Sequence, residues 1–595
     1  MVLRIAFREH GDTGRKDRSL RLDFAVAGVI LMPFVTIALD FRSSLVVQAL
    51  GILVIVVATL PALTTVEGRR RVLASPGPVL FGVAAVAAVT FGGAAVGLIR
   101  GHAPGQVAGQ AFSMGLLPLA AVGGLAMWKG SMEKRWRIGL LAAMTVGCWI
   151  QLLWGVVRIT VHGEPSRLFL PNAVSVIGPA LLGLCFSLVS LRDPHRWMRR
   201  LAWLATVSIL LVILGSSLRS LWILTPATVI GLVVVWRGLR SRETLIAVVS
   251  ITLLGAGIMG AGWQLEKWIG RDMPDVLQRT PCSLFPDAGD CLTDRLTYSP
   301  DGALRPRFDA PVGLPDGDAW RVVVRGRGEG QGAMIVILLF VDNSGSEVGR
   351  IPVPIRAGEE SGRGIAVGTV PPGWADARVR LSRWEGSTGH WRLEGVECAV
   401  LESPTMARLA GKALAVKERF FGLVRVAKTG RVDGDATLGF RWYESTKIVE
   451  ALVGGSWVDR LFGRGLGATI RLDIDGFDNR GHWIHYDNVN YIHNWYLFLL
   501  FKLGIVGSIL VLGALVGWIA WIVRSFGRAA DSKDRAFLVA AAAAWIVYAV
   551  WSLTSPEILD FRMAPLWGWL LAVTSGGLNN PGDPKIRRQS SDGER

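Results

Sequence analysis

Apolar runs long enough to cross a bilayer recur along this chain and set its frame. A membrane-spanning helix needs about 20 mainly apolar residues. Such runs begin near Phe24, Ser43, Pro76, Val107, Ile138, Ala173, Leu201, Leu221 and Thr244. After a long polar interval others begin near Trp495 and Ala536, with a shorter one near Arg562 that contains Pro565. The pattern predicts a polytopic α-helical membrane protein of about 12 transmembrane helices, about nine before the interval and about three after it.

The interval, about Gln264 to Tyr491, changes character midway. From Cys282 to Glu402 it is rich in Gly, Pro and Asp and carries alternating runs such as AWRVVVRG, MIVILLFVD, GRIPVPIR, ARVRLSRW and WRLEGVECAVLE. Turn signals such as Asp342-Asn343-Ser344-Gly345 separate them. Strands at this spacing predict an inserted extracytoplasmic β-sandwich of jelly-roll type. Beyond Pro404 the period turns helical, over Met406 to Val426 and Arg441 to Leu452, before an aromatic, Asp- and His-rich loop. The expected organisation is an N-terminal segment (1–23), a membrane domain (24–263), a connector (264–281), the β insertion (282–402), a helical lid (403–491), the last membrane helices (492–576) and a tail (577–595).

Charge then orients the helices. The N-terminus carries Arg4, Arg8, Arg15, Lys16, Arg18 and Arg21, and every second loop repeats the cluster, as in Arg192, Arg196, Arg199 and Arg200 or Arg524, Arg528, Lys533 and Arg535. Loops of the other parity are short and nearly free of lysine. The positive-inside rule therefore puts both termini in the cytoplasm and the long interval outside it. The net charge of +17 and pI near 10.2 follow from topology, since the basic residues are dispersed among membrane loops. A nucleic-acid partner is excluded on that ground. The 51% hydrophobic content and 24 Trp agree with a membrane protein. The first apolar run follows a long charged segment without a small-residue cleavage site, so no cleavable signal peptide is expected.

Of five cysteines, Cys148 and Cys185 fall inside apolar helices and read as buried small hydrophobes. Cys282, Cys291 and Cys398 lie in the external interval, where pairing is possible and its connectivity open.

Candidate chemistry gathers where the interval re-enters the membrane. Residues 493–507 read HNWYLFLLFKLGIVG. An ionisable group at such a depth is a functional-site candidate, and Gly504 and Gly507 leave room for another helix to approach. The external-side arginines singled out are Arg219 in a very short turn, Arg441 at the start of FRWYESTKIVEALV beside Tyr443, Arg464 in LFGRGLGA, and Arg100, Arg158 and Arg167. The plain reading of each arginine is a helix end or an ion pair, and of His493 a helix cap or an interhelical hydrogen bond. Together they form guanidinium forks suited to phosphate, beside one titratable base. A metal site built from His482, His485 and nearby Asp residues fits no compact zinc or calcium spacing, and no cofactor is expected. Trp320, Trp374, Trp384 and Trp391 of the insertion read either as core or as sugar-stacking faces.

His493-Asn494, nine residues, Gly504, two residues, Gly507 resembles the signature of the O-antigen ligase and O-antigen polymerase superfamily, at the matching place in the topology. Arg219 ahead of the loop, and the Arg441 helix followed by Trp457 to Gly467, extend the resemblance, which leaves out the β insertion. It implies a C-type glycosyltransferase fold and a metal-independent, inverting transfer on the periplasmic face of a bacterial inner membrane. A glycan would pass from an undecaprenyl diphosphate carrier to a hydroxyl on a glycan or lipid acceptor, among membrane lipids. His493 would be the base, with Arg219 and Arg441 at the reacting centre. Arg464, Asn494, Arg158, Arg167 and Tyr443 would bind substrate. Two other classes stand beside it: a flippase of the same lipids, which calls for paired broken helices in two related halves, and a non-catalytic assembly or sensor protein.

Overall fold

The computed structural model describes residues 63–127, 132–157, 173–216, 224–230, 232, 277–278, 308–312, 319–331, 333–356, 362–369, 373–383, 388–400, 436–477, 483–526, 532–553 and 563–578. Six helices come first: α1 (Val66–Leu73), α2 (Gly77–Ile99), α3 (Pro104–Met127), α4 (Met132–Val157), α5 (Ala173–Ser190) and α6 (Arg196–Ser216). Among the described residues five more lie later in the chain, two before the final pair of strands and three after it: α7 (Ala436–Val453), α8 (Trp457–Phe462), α9 (Trp495–Ser525), α10 (Ser532–Trp551) and α11 (Ala564–Leu578). Among the described residues four helices are long and apolar enough to cross a membrane: α2, α3, most of α4, and α9. This is a membrane-embedded protein. The helices expected from Phe24, Ser43 and Thr244 lie outside the described residues, as does the one over Met406 to Val426.

Small residues let the helices close on one another, since lipid supplies no hydrophobic drive between them. A Cβ on Gly124 of α3 would stand 2.6 Å from that of Ala572 in α11, and one on Gly568 would stand 2.4 Å from the Leu117 carbonyl. Aromatic rings fill the wider spaces. Trp518, Trp545, Trp567 and Tyr548 stack in sequence across α9, α10 and α11 at centroid distances of 5.5, 4.6 and 4.1 Å. The short final run is a helix in spite of Pro565, which sits in its first turn where no intrahelical donor is lost. Cys148 and Cys185 are buried and free, as expected of small core residues. At the bundle's far end Arg137 pairs with buried Asp193 at 2.9 Å, tying α4 to the basic α5–α6 turn.

The polar interval contains ten strands among its described residues. Eight form two four-stranded sheets: β1 (Leu277–Gln278), β2 (Phe308–Val312), β3 (Ala319–Gln331), β4 (Ala333–Val341), β5 (Glu347–Arg356), β6 (Gly362–Thr369), β7 (Asp376–Arg383) and β8 (Thr388–Val400). Their orders are β1-β8-β3-β6 and β2-β7-β4-β5, antiparallel throughout. The run 336–341 in β4 is buried on both faces, hence its unbroken apolar sequence. Trp320 is wholly buried and Trp374 meets Phe340 edge-on at 5.7 Å, so these two are packing residues. In the predicted turn, Asp342 accepts from the Ser344 and Ser346 amides at 2.8 and 2.9 Å, and Gly345 takes the left-handed conformation with φ 78°. Cys282 and Cys291 lie outside the described residues. The last two strands, β9 (Ile470–Phe477) and β10 (Trp483–Val489), form a hairpin leading to His493.

Candidate functional site

α7, the hairpin and the start of α9 meet at His493. Asn494 caps α9: its side-chain oxygen accepts from the Tyr496 and Leu497 amides at 3.0 and 3.2 Å. That cap fixes where the helix begins and leaves His493 just outside it, where its amide engages a different acceptor. The acceptor is Glu444. One carboxylate oxygen accepts the His493 amide at 2.9 Å, and both lie 3.1 and 3.2 Å from the ring Nδ1. Glu444 is 1% exposed, while the His493 side chain is 31% exposed.

This geometry selects a tautomer. An ionised carboxylate only accepts hydrogen bonds, so beside it the neutral ring would carry its proton on Nδ1 and its lone pair on Nε2. The ring is held further by Tyr491, edge-on at 5.1 Å. A partly exposed imidazole with a carboxylate behind its inner nitrogen makes a general base that can take a proton and be stabilised once charged. The helix-cap alternative for this motif falls to Asn494 rather than to the histidine.

Arg441 stands one turn before Glu444 on α7. Residues three apart on a helix are neighbours on its surface, with Cβ atoms about 5–6 Å apart. Arg441 and Glu444 therefore share one side of α7. Arg219, Arg158 and Arg167 lie outside the described residues. Tyr443 donates through its hydroxyl to the Leu472 carbonyl at 3.0 Å, which seats α7 on β9.

Arg464 has partners within the chain. Its guanidinium donates to the Ala451 carbonyl at 2.9 Å and lies 5.2 Å over the Phe501 ring. Arg460 donates to the Leu452 and Val453 carbonyls. Two guanidinium groups thus cap the C-terminal end of α7, where cations offset the helix dipole. Arg100 is occupied as well, pairing with Asp459 of α8. Burial opposes ionisation of Asp459, but hydrogen bonds from Arg100 and from Ser456 outweigh it and hold the carboxyl below its ordinary range.

The glycines of LFGRGLGA serve a backbone purpose that close helix packing does not capture. Gly463, Gly465 and Gly467 all have positive φ, and so does Gly504, at φ 67° inside α9. Gly504 breaks the helix, and a break at membrane depth exposes carbonyls that lipid cannot satisfy. The loop supplies the donors: the Arg464 and Gly465 amides bond the Phe501 and Lys502 carbonyls at 3.0 and 2.8 Å, and Leu466 bonds Gly93 of α2 at 2.9 Å. Buried Lys502 returns a bond to the Ala468 carbonyl. What approaches Gly504 is the end of α8, at the Leu461 carbonyl, together with the loop that follows it at Gly463. Gly507 meets α2, with Val89 3.3 Å from where its Cβ would be.

Gly504→Ala should consequently fold poorly. Its Cβ would fall 2.3 Å from the Gly463 nitrogen, on top of the roughly 1–2 kcal/mol that a left-handed non-glycine residue costs. Gly513→Ala is the matched control, helical with nothing within 4 Å. Thermal stability of detergent-solubilised protein should drop sharply for the first and hold for the second; equal melting would contradict this account of the break.

Sequence reasoning missed four residues of this assembly: Glu444, Gln110, His102 and Lys502. Gln110 joins loop to site, accepting the Gly467 amide at 2.7 Å and donating to the Asn490 carbonyl at 3.2 Å. His102 Nε2 lies 2.8 Å from the Arg464 carbonyl. A polar side chain inside an apolar helix flags Gln110 and Lys502 in the sequence; nothing comparable flags Glu444, one of several acids in a polar stretch. No protein-family model matches the chain, and no curated protein is detectably similar to it.

Proposed function

We propose that this chain is an inverting, metal-independent membrane glycosyltransferase that moves a glycan from a polyprenyl diphosphate carrier to a hydroxyl acceptor, as an O-antigen-type polymerase or ligase. The observation that carries the reading is the buried Glu444 carboxylate, which holds His493 through its amide and Nδ1. The acceptor hydroxyl gives its proton to Nε2, its oxygen bonds the anomeric carbon from the far side, and the bond from that carbon to the diphosphate breaks. The configuration inverts. Negative charge builds on the leaving diphosphate, where Arg441, with Arg219 from another part of the chain, would stabilise it.

The same reading includes about 12 transmembrane helices, both termini in the cytoplasm and the His493 end facing the periplasm. It also treats 282–402 as a jelly-roll sandwich. In support, β1-β8-β3-β6 and β2-β7-β4-β5 are the strand orders of an eight-stranded jelly roll, with consecutive strands changing sheet except between β4 and β5. A broken helix is also a transporter trait. Here the Phe501 and Lys502 carbonyls of α9 are taken up by amides of the chain's own loop.

Two experiments separate the possibilities. Cells lacking the protein should accumulate carrier-linked single repeats if it is a polymerase and carrier-linked long chains if it is a ligase; unchanged lipid-linked glycans would count against both. Arg441→Lys should fail nearly as completely as Arg441→Ala, because an ammonium cannot make the two-pronged phosphate contact. Full activity of the lysine variant in a transfer assay would remove Arg441 from the diphosphate site.

A further inference from the structure

α7 has two faces. Glu444 and Ile448 are buried on the side that holds His493, while Trp442, Val449 and Val453 stand exposed on another. Those three positions are seven and four apart, so they form one stripe along the helix. Past the turn, Trp457 and Phe462 of α8 are exposed as well. Trp442 and Val453 are each 66% exposed and Trp457 is 68% exposed. Exposed large apolar side chains gathered on two successive helices mark an interaction surface.

Position identifies the partner. Asp459 of α8 pairs with Arg100, the residue that ends α2. α2 is a membrane span, and its last residues Leu98 and Ile99 are exposed and apolar. The Arg100–Asp459 pair therefore ties α8, and α7 before it, to the end of a membrane span, at the level where the hydrocarbon gives way to headgroups. Tryptophans at both ends suit that level, where an amphipathic ring has one side apolar and one wet. The Lys447–Glu450 pair, at 2.9 Å, flanks the stripe with charge, as the polar flank of an interfacial helix requires.

We infer that the outer face of α7, with α8, is a membrane-docking surface that lies in the headgroup–acyl boundary of the bilayer and sets the height of the lid. The docking itself does not depend on the reaction proposed above. Its consequence does: the helix seated on lipid is the one that carries Glu444 inward, so His493 is held at the depth where a carrier diphosphate lies.

The test is photocrosslinking of the full chain reconstituted in phosphatidylethanolamine/phosphatidylglycerol vesicles. p-Benzoylphenylalanine is placed singly at Trp442, Val453 and Trp457, with Phe91 on the lipid-facing side of α2 as positive control and Ser344 in the β4–β5 turn as negative control. Only monodisperse variants are scored, by mass spectrometry. Phospholipid adducts at the three test positions, within a few-fold of the Phe91 yield and well above Ser344, are the expected result. Yields at the Ser344 level while Phe91 labels would overturn the inference. Adducts to protein in place of lipid would overturn it as well, and assign the face to a protein partner. Neither readout requires glycan transfer, so failure here is distinct from failure of the catalytic reading.

Discussion

His493→Ala is expected to lower glycan transfer by roughly a hundredfold to ten-thousandfold, the range for a lost general base. The acceptor hydroxyl is a poor nucleophile near neutral pH, and among the described residues His493 is the imidazole whose tautomer is fixed by a buried carboxylate. The loss should fall on turnover, with donor binding largely retained, because the diphosphate is assigned to arginine. Folding should survive. The side chain is partly exposed, the Glu444 bond to the residue 493 amide persists, and the α9 cap belongs to Asn494. Near-normal turnover of a well-expressed variant would overturn the mechanism.

Glu444→Gln should impair turnover almost as much, roughly a hundredfold to ten-thousandfold, although residue 444 touches no substrate in this mechanism. The precedent for such an effect is the serine-protease triad, where an amide in place of the supporting aspartate costs about ten-thousandfold. The glutamine oxygen can still accept the His493 amide, but its NH2 group can donate to Nδ1. That moves the ring proton to Nε2 and removes the lone pair the acceptor needs. Glu444 is thus a positioning residue, and the signature is a fall in kcat with KM little changed. Glu444→Ala is a different experiment, since it strands a backbone donor at a cost of about 1–3 kcal/mol and should destabilise as well. If the glutamine variant raises KM while sparing kcat, the carboxylate acts on substrate binding instead.

How far the chain could be read in advance depends on the range of the interactions. Helices α2 to α6 and α9 to α11 begin within a few residues of their apolar runs, because burial in lipid depends on local hydropathy. The alternating runs of the insertion became β3, β4, β5, β7 and β8 for the same local reason. Asn494 as a cap is likewise a short-range effect. Glu444 was not legible: its partner is 49 residues away, and nothing in FRWYESTKIVEALV separates it from Glu450, which pairs with Lys447 at the surface. The backbone role of the Arg464 loop was not legible either. Its glycine-rich setting suits gripping a ligand and also threading a loop into a broken helix, and the hydrogen bonds to Phe501 and Lys502 that show the threading are long-range.

At the centre of this mechanism the Glu444–His493 pair drives an inverting transfer from a polyprenyl diphosphate donor without a metal. The direct measurement is in vitro transfer by purified, reconstituted protein, in EDTA, with the anomeric configuration of the new linkage read by NMR. The predicted result is product of inverted configuration, formed at an unchanged rate in chelator and lost in His493→Ala. A retained configuration, activity that returns only with a divalent metal, or transfer by His493→Ala at the wild-type rate would contradict it.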